Sequence, residues 1–139
     1  GKYKVPAAIC TAQACLESQY GKSIPKDKKS KVTSNNLFGI KANELEIQNK
    51  LYVECATHEE IDGKLKGDSA KFRKYRSDDE SLKYHAILLR DRYKPKITTS
   101  KRKKIIKKWA RSLQKRGYAT DSHYAEKLES IIFDTWHLK

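Results

Sequence analysis

Two carboxylates and one segment rich in amides are the residues of this chain best suited by type and spacing to do chemistry. Glu17 lies in Ala12-Gln13-Ala14-Cys15-Leu16-Glu17-Ser18-Gln19-Tyr20-Gly21, near the C-terminal end of the most apolar helical stretch. Leu16 and Tyr20 flank its face, so a poorly solvated carboxyl is expected. Desolvation raises a carboxyl pKa, and a proton held near neutral pH is what a general acid delivers. The competing reading is an ordinary solvated helix-end glutamate. Glu59, in Thr57-His58-Glu59-Glu60, stands just before Asp62-Gly63. On a strand Glu59 and Glu60 point to opposite faces. One of them can look into a cleft toward Glu17 while the other faces water. Two carboxyls across a cleft are the general solution for glycoside hydrolysis, and their separation sets the stereochemistry. Two charges guarding an edge strand are the alternative.

Asn35-Asn36-Leu37-Phe38-Gly39-Ile40-Lys41 combines side-chain amides, a large aromatic and a glycine. An N-acetyl sugar needs a donor, an acceptor and an apolar surface together, and this segment has all three. Gly39 permits close backbone approach. A tight turn anchored by a core Phe explains the same residues. In Gly117-Tyr118-Ala119-Thr120-Asp121-Ser122-His123-Tyr124-Ala125, a helix stop and a new helix start account for Gly117 and Asp121, but not for the presence of both Tyr118 and Tyr124. The histidines His58, His85, His123 and His137 lack the H-x-x-x-H spacing of a metal site, and neither a phosphate-binding Gly-Lys loop nor a G-x-S-x-G elbow occurs. No metal and no cofactor are expected. The three cysteines, Cys10, Cys15 and Cys55, form no C-x-x-C pair and read as small buried thiols.

The elements that must position these groups follow from periodicity. Val5, Ala8, Ile9, Ala12, Leu16 and Tyr20 recur at helical spacing, with Pro6 suited to a first turn and Gly21 to a stop. Residues 22–34 read as a loop. Residues 51–57 are strand-like; Asp62-Gly63 is a strong hairpin signal, with 64–66 returning and 70–75 extending the small sheet. Ser77-Asp78-Asp79-Glu80 has the form of a capping box and opens a helix through Leu82, Ala86, Leu89 and Tyr93. A further helix carries Ile105, Ile106, Trp109, Ala110 and Leu113 and ends at Gly117. A last one, capped by Asp121, turns Tyr124, Ala125, Leu128, Ile131, Ile132 and Trp136 inward.

The chain has 139 residues, which fits one domain able to bury its own core. Lys plus Arg number 31 against 17 acids, a net charge of +14, which favours polyanions without choosing among nucleic acid, membrane and cell wall. Residues 94–116 hold 11 of these cations and no acid, as a polyanion-facing helix or a solvated face would. Trp109 falls on an apolar stripe rather than on a stacking platform, so nucleic acid is not the expected partner. No run of apolar residues is long enough for a membrane span, and no leader pattern opens the chain, which starts with Gly and lacks Met. An excised or processed domain of a larger protein is expected.

Taken in order, Ala12-Gln13-Ala14 with Leu16-Glu17-Ser18 and Gly21, Asn36-Leu37-Phe38-Gly39-Ile40-Lys41, Thr57-x-Glu59 with Gly63, Phe72-Arg73-x-Tyr75, and Gly117-Tyr118-Ala119-Thr120-Asp121 with Tyr124-Ala125 resemble glycoside hydrolase family 73 from about Val5 to about Leu138. These are bacterial endo-β-N-acetylglucosaminidases that cleave peptidoglycan, including autolysins and flagellar rod-associated hydrolases. The resemblance implies a lysozyme-like α+β fold, a helical lobe and a small β-hairpin lobe with a substrate cleft between them. It implies Glu17 as the general acid and Glu59 as the second acid, either a base for water or the stabiliser of an oxazolinium formed by the substrate's acetamide. Tyr118 is implicated near the reaction centre, and Tyr20, Asn36, Phe38, Gly39 and Tyr124 become sugar-binding candidates. The expected partners are peptidoglycan strands and, through charge, anionic wall polymers, met by a monomer outside the cell or in the wall. A lytic transglycosylase or muramidase on the same fold, or a catalytically idle wall-binding module, are the alternatives. The chain departs from the family at Gln19-Tyr20, where Gly-Trp is usual, at Ser122, where Pro is usual, and in lacking a Trp after Gly39-Ile40-Lys41.

Overall fold

The computed structural model describes residues 4–61 and 64–139, and the side chains of these apart from 57–61 and 64–67. In order the elements are α1 (Ala7–Glu17), α2 (Glu44–Gln48), β1 (Tyr52–Ile61), β2 (Lys64–Arg73), α3 (Asp78–Arg92), α4 (Arg102–Lys115) and α5 (Tyr124–Glu129), the last continuing into a π-helical turn, Ser130–Thr135. The chain divides into two compact units, Gly1–Leu16 with Lys83–Lys139, and Glu17–Leu82.

In the first unit the buried side chains are those expected from helical spacing. Ile9 and Ala12 of α1, Leu89 of α3, Ile106, Trp109, Ala110 and Leu113 of α4, and Leu128 and Ile132 are all inside. Burying such side chains stabilises by about 1.5–3 kcal/mol each relative to exposure. Helix α4 packs on α5. It ends in a Schellman motif: Tyr118 N–H donates to the Leu113 carbonyl (3.0 Å), Gly117 N–H to the Gln114 carbonyl (3.2 Å), and Gly117 takes φ +76°. The Gln114 side chain then accepts from Ala125 N–H at 2.9 Å, satisfying an N-terminal donor of α5.

Three expectations shift here. Asp121 accepts from His123 N–H at 2.8 Å, two residues ahead of the helix's own N-cap, a position that His123 occupies. The last helix widens, with Trp136 N–H bonding to the Ile131 carbonyl five residues back. That extra residue per turn takes Trp136 off the apolar stripe, and it is 37% exposed. Cys10 is buried, and burial pushes its thiol up to about 11, whereas Cys15 and Cys55 are only half-buried.

The second unit is built on the β1–β2 antiparallel pair, whose register runs from Tyr52 opposite Arg73 to Ile61 opposite Lys64. The expected return of 64–66 is therefore one strand reaching Arg73; the Asp62-Gly63 turn itself lies outside the described residues. Lys41 bridges to Phe72, and Ala42 N–H donates to the Lys71 carbonyl at 3.0 Å, so the 40–42 segment lies along β2. Helix α2 is unexpected. Its signal is a capping box: Glu46 N–H donates to Asn43 Oδ1 (2.8 Å) and Asn43 N–H to Glu46 Oε1 (2.9 Å). Glu46 also pairs with Arg73 at 2.8 Å, tying α2 to β2. In the loop, Asp27 accepts from the Lys29, Ser30 and Glu54 backbone N–H groups, and these bonds hold its carboxyl down at about 2. At α3, Ser77 Oγ accepts from Glu80 N–H as foreseen, but Glu80 answers to Arg76 N–H.

After α1 the chain turns through three consecutive left-handed residues, Gln19 (φ +50°), Tyr20 (+58°) and Gly21 (+85°). A side chain at such a φ costs about 1–3 kcal/mol unless the residue is Gly. Gln19→Gly is therefore expected to stabilise by about 0.5–1 kcal/mol after the entropy of the freer unfolded chain is subtracted. A higher denaturation midpoint by urea titration would show it; a lower midpoint would mean Gln19 makes a compensating contact.

Candidate active site

Glu17 is the last residue of α1, and its side chain is exposed. The poorly solvated carboxyl expected from Leu16 and Tyr20 is not what the structure provides. The reason is that α1 stops at Glu17, and the left-handed turn carries Tyr20 off the helix face, leaving it 59% exposed. Glu17 stands at the C-terminal end of α1, whose last turn holds no basic residue. Ser18 fixes the exit from the helix: its Oγ accepts from Gly21 N–H (3.0 Å) and its carbonyl from Ser23 N–H (2.8 Å). The carboxyl is thus set on a rigid element with a bonded turn behind it.

Asn36 is 1% exposed, and its amide is committed to the backbone. Its Nδ2 donates to the carbonyls of Ile40 (2.8 Å) and Arg73 (3.0 Å), and its Oδ1 accepts from Ile40 N–H (3.0 Å). A direct sugar contact, the expected role, is closed to a side chain so enclosed; it holds the 36–40 loop to the end of β2 instead. Phe38 is buried as well, an anchor of the turn rather than an open platform. Gly39 takes φ +64°, which lets Ile40 N–H fold back onto Asn36. Asn35 Nδ2 and Ser81 Oγ pin the same loop, through the Tyr75 carbonyl (3.1 Å) and Leu37 N–H (3.3 Å). Of this segment's candidates, the structure brings Asn36, Phe38 and Gly39 together as one turn.

In the first unit, Tyr118 and Tyr124 belong to a polar and aromatic cluster that the sequence did not foretell as a whole. Gln13 sits buried on α1, donating through Nε2 to the Tyr124 hydroxyl (3.1 Å) and accepting through Oε1 from His85 Nε2 (2.8 Å). That acceptor places the imidazole proton on Nε2. Burial, with no carboxylate in this contact, brings the His85 pKa down to about 3. The Tyr118 ring meets His85 edge-on (5.7 Å, 83°), Tyr93 at 5.5 Å and Tyr124 at 5.7 Å. The Schellman turn at Gly117 delivers Tyr118 to this cluster, and Tyr118 itself stays half-exposed. Gln13 and His85 were legible in one respect: each is polar yet in phase with the buried positions of its own helix, Ile9 on α1, Ser81 and Leu89 on α3.

Glu59 lies on β1 opposite Lys66, and its side chain falls outside the described residues. Among the described residues no cluster of His, Cys, Asp and Glu could hold a metal ion, and no helix is long and apolar enough to cross a membrane.

The chain matches the model of the glucosaminidase family, described as mannosyl-glycoprotein endo-beta-N-acetylglucosaminidase, over residues 1–135. It is 38% identical to the exo-glucosaminidase LytG of Bacillus subtilis, over 94% of this chain and 44% of that protein. It is 37% identical to the peptidoglycan hydrolase FlgJ of Escherichia coli K12, over 92% of this chain and 39% of that one. The chain therefore spans less than half the length of these relatives. Among solved structures, the truncated glycoside hydrolase domain of Salmonella typhimurium FlgJ superposes with a TM-score of 0.74 at 34% identity, covering 97% of this chain and 86% of that chain. A peptidoglycan hydrolase from Sphingomonas sp. A1 gives 0.64 at 33% identity, covering 91% and 73%. These likenesses establish the lysozyme-like mixed α and β fold, with its small antiparallel sheet, that the sequence led one to expect. With helices, hairpin and the glutamate at the end of α1 in place, the chain belongs to the glucosaminidases, glycoside hydrolase family 73.

Proposed function

We propose that this chain hydrolyses the β-1,4 bond after N-acetylglucosamine in peptidoglycan, acting within the glycan strand. The observation that carries this reading is the family match over residues 1–135; the general-acid role of Glu17 is our assignment, made on the resemblance of Leu16-Glu17-Ser18 to the family's motif. Glu17 gives its proton to the bridging oxygen as the bond from the anomeric carbon breaks. The developing positive charge is met by the Glu59 carboxylate, or by the substrate's own acetamide oxygen closing to an oxazolinium. Water then adds at the anomeric carbon and returns a proton to Glu17. An exposed carboxyl suits this sequence, because a bound glycan supplies the desolvation that the protein alone does not. Tyr118 is assigned a catalytic part and Tyr20 a sugar-binding part on the family resemblance; Tyr124, enclosed at 3% exposure with its hydroxyl bonded to Gln13, acts instead by supporting the Tyr118 ring. Asn36, Phe38 and Gly39 act by shaping the loop rather than by touching sugar.

The relatives' activities support the wall glycan as substrate: one is an exo-glucosaminidase and others are peptidoglycan hydrolases. Action outside the cell or in the wall, by a monomer, is part of the same reading. The test is digestion of purified peptidoglycan with mass spectrometry of the products. New reducing N-acetylglucosamine ends on fragments of mixed length are expected. Anhydromuramic ends would instead identify a lytic transglycosylase, reducing muramic ends a muramidase, and stepwise release from chain ends an exo-enzyme like LytG.

A further inference from the structure

The described part of the first unit contains a basic groove that the glycan chemistry leaves unused. It has a volume of about 540 Å³ and is walled by Lys96, Lys108, Arg111, Lys115 and Arg116, with Pro95 at its side and Ser112 in its floor. Lys108, Arg111, Ser112 and Lys115 are spaced by three and four residues along α4, so they form one stripe about 10 Å long. The facing wall is the 92–98 segment, and the two are laced together. Ser112 Oγ donates to the Tyr93 carbonyl (2.6 Å), Lys108 Nζ to Thr98 Oγ1 (3.2 Å), and Arg116 Nη1 to the Arg92 carbonyl (3.2 Å). The groove is thereby held open in one shape rather than assembled from free side chains.

Its charge is uncompensated. No acid lines it, and among the described residues none of the five cations makes an ion pair with a carboxylate. The neighbouring depression on the same helix differs: Lys103 and Lys107 there share the lining with Glu126, Glu129 and Asp134. Five unpaired cations at close quarters repel one another, and an anion that enters relieves that repulsion as well as gaining its own contacts. Arg111 and Arg116 add guanidinium forks, whose geometry matches phosphate oxygens.

We propose that this groove binds successive phosphates of a flexible phosphodiester polymer that carries no bases, and so tethers the protein to a polyanion at a place other than its glycan site. The length of the stripe admits more than one phosphate. The lining argues against nucleic acid: it has no aromatic side chain, and among the described residues the large exposed aromatics, Tyr20, Tyr84 and Trp136, are not part of it. A groove for single-stranded nucleic acid pairs its cations with stacking surfaces.

The test is direct binding, by calorimetry or fluorescence anisotropy, of a synthetic glycerol-phosphate oligomer to the whole chain at several salt concentrations. Arg111→Glu with Lys115→Glu is compared with Lys103→Glu with Lys107→Glu, which changes net charge equally on the same helix. The groove pair is expected to weaken binding at least about tenfold more than the control pair, and to lower the slope of log affinity against log salt by about 1.4, two contacts at about 0.7 each. Equal losses in the two variants would reduce the effect to overall charge and overturn the proposal. So would tighter, groove-dependent binding of a single-stranded oligonucleotide of equal phosphate number. Hydrolysis of a short phosphate-free glycan by the groove variant should stay within about twofold of the unaltered chain; this readout is independent of the binding one, so failure of the hydrolase reading and failure of the groove are told apart.

Discussion

Glu17→Gln is expected to lower the rate of peptidoglycan cleavage by about 10²–10⁴-fold while leaving glycan binding nearly unchanged. The amide keeps the shape and a hydrogen-bond donor but has no acidic proton for the bridging oxygen. Because Glu17 ends α1 and is exposed, and the amide matches the carboxyl in size, the denaturation midpoint should move little. It could even rise slightly, since a neutral group suits a helix C-terminus better than a carboxylate. That combination, lost turnover with kept stability and binding, separates a chemical role from a structural one. Glu59→Gln is the informative companion. A smaller loss than at Glu17 favours the substrate's acetamide as the group that meets the anomeric carbon, and an equal loss favours an obligatory base.

The second large effect is expected at the buried cluster of Gln13, His85 and Tyr124. Gln13→Ala removes the bond to His85 Nε2–H and the bond to the Tyr124 hydroxyl together, and a bond lost at a buried polar group costs about 1–3 kcal/mol. A total loss of about 2–6 kcal/mol, read by urea or thermal unfolding, is expected before any cavity left by the missing side chain is added. The same cluster gives the protein an acid weakness. The His85 pKa is depressed in the fold to about 3, whereas an unfolded histidine titrates near 6.5. Between these values the unfolded chain binds a proton that the folded one does not. Stability is therefore complete above about pH 6.5 and falls as pH drops toward 3, by up to about 1.4 kcal/mol per unit. His85→Gln, which can still donate to Gln13, should lower stability at neutral pH yet flatten its decline between about pH 6.5 and about pH 4.5. An unchanged decline would show that His85 takes up its proton without resistance. Asp27, whose bonded carboxyl lies at about 2, adds its own loss only below about pH 4.

Much of this molecule is written in short-range patterns, and those patterns were readable. The stripe of Ile106, Trp109, Ala110 and Leu113 gave α4 and Gly117 gave its end, because each signal is local and the structure leaves it undisturbed; the strands on either side of Asp62-Gly63 pair antiparallel, as a hairpin requires. Tyr20 and Trp136 were misplaced for a common reason. Both lie beyond a change of backbone geometry, a left-handed turn in one case and a π-helical turn in the other, and spacing counted at 3.6 residues per turn loses its phase there. Asn36 illustrates a different difficulty. An amide in a loop looks like a sugar ligand until the distant partner Arg73 is known, and that contact spans 37 residues of chain. Gln13 and His85 were visible only as polar residues in phase with buried positions; their mutual bond spans 72 residues. The position of Glu17 at the end of α1 was legible from the helical run, but its exposure was not, because that depends on where the helix stops.

The most direct measurement of proton donation by Glu17 is a comparison of two leaving groups. The unaltered chain and Glu17→Gln are assayed on an N-acetylglucosamine-containing oligosaccharide ended by a sugar, and on the same oligosaccharide ended by dinitrophenol, which departs as a stable anion and needs no proton. A Glu17 that acts as the acid gives a variant crippled on the first substrate, by at least about 10²-fold, and close to normal on the second. Equal impairment on both, or near-normal cleavage of the sugar-ended substrate, would contradict it.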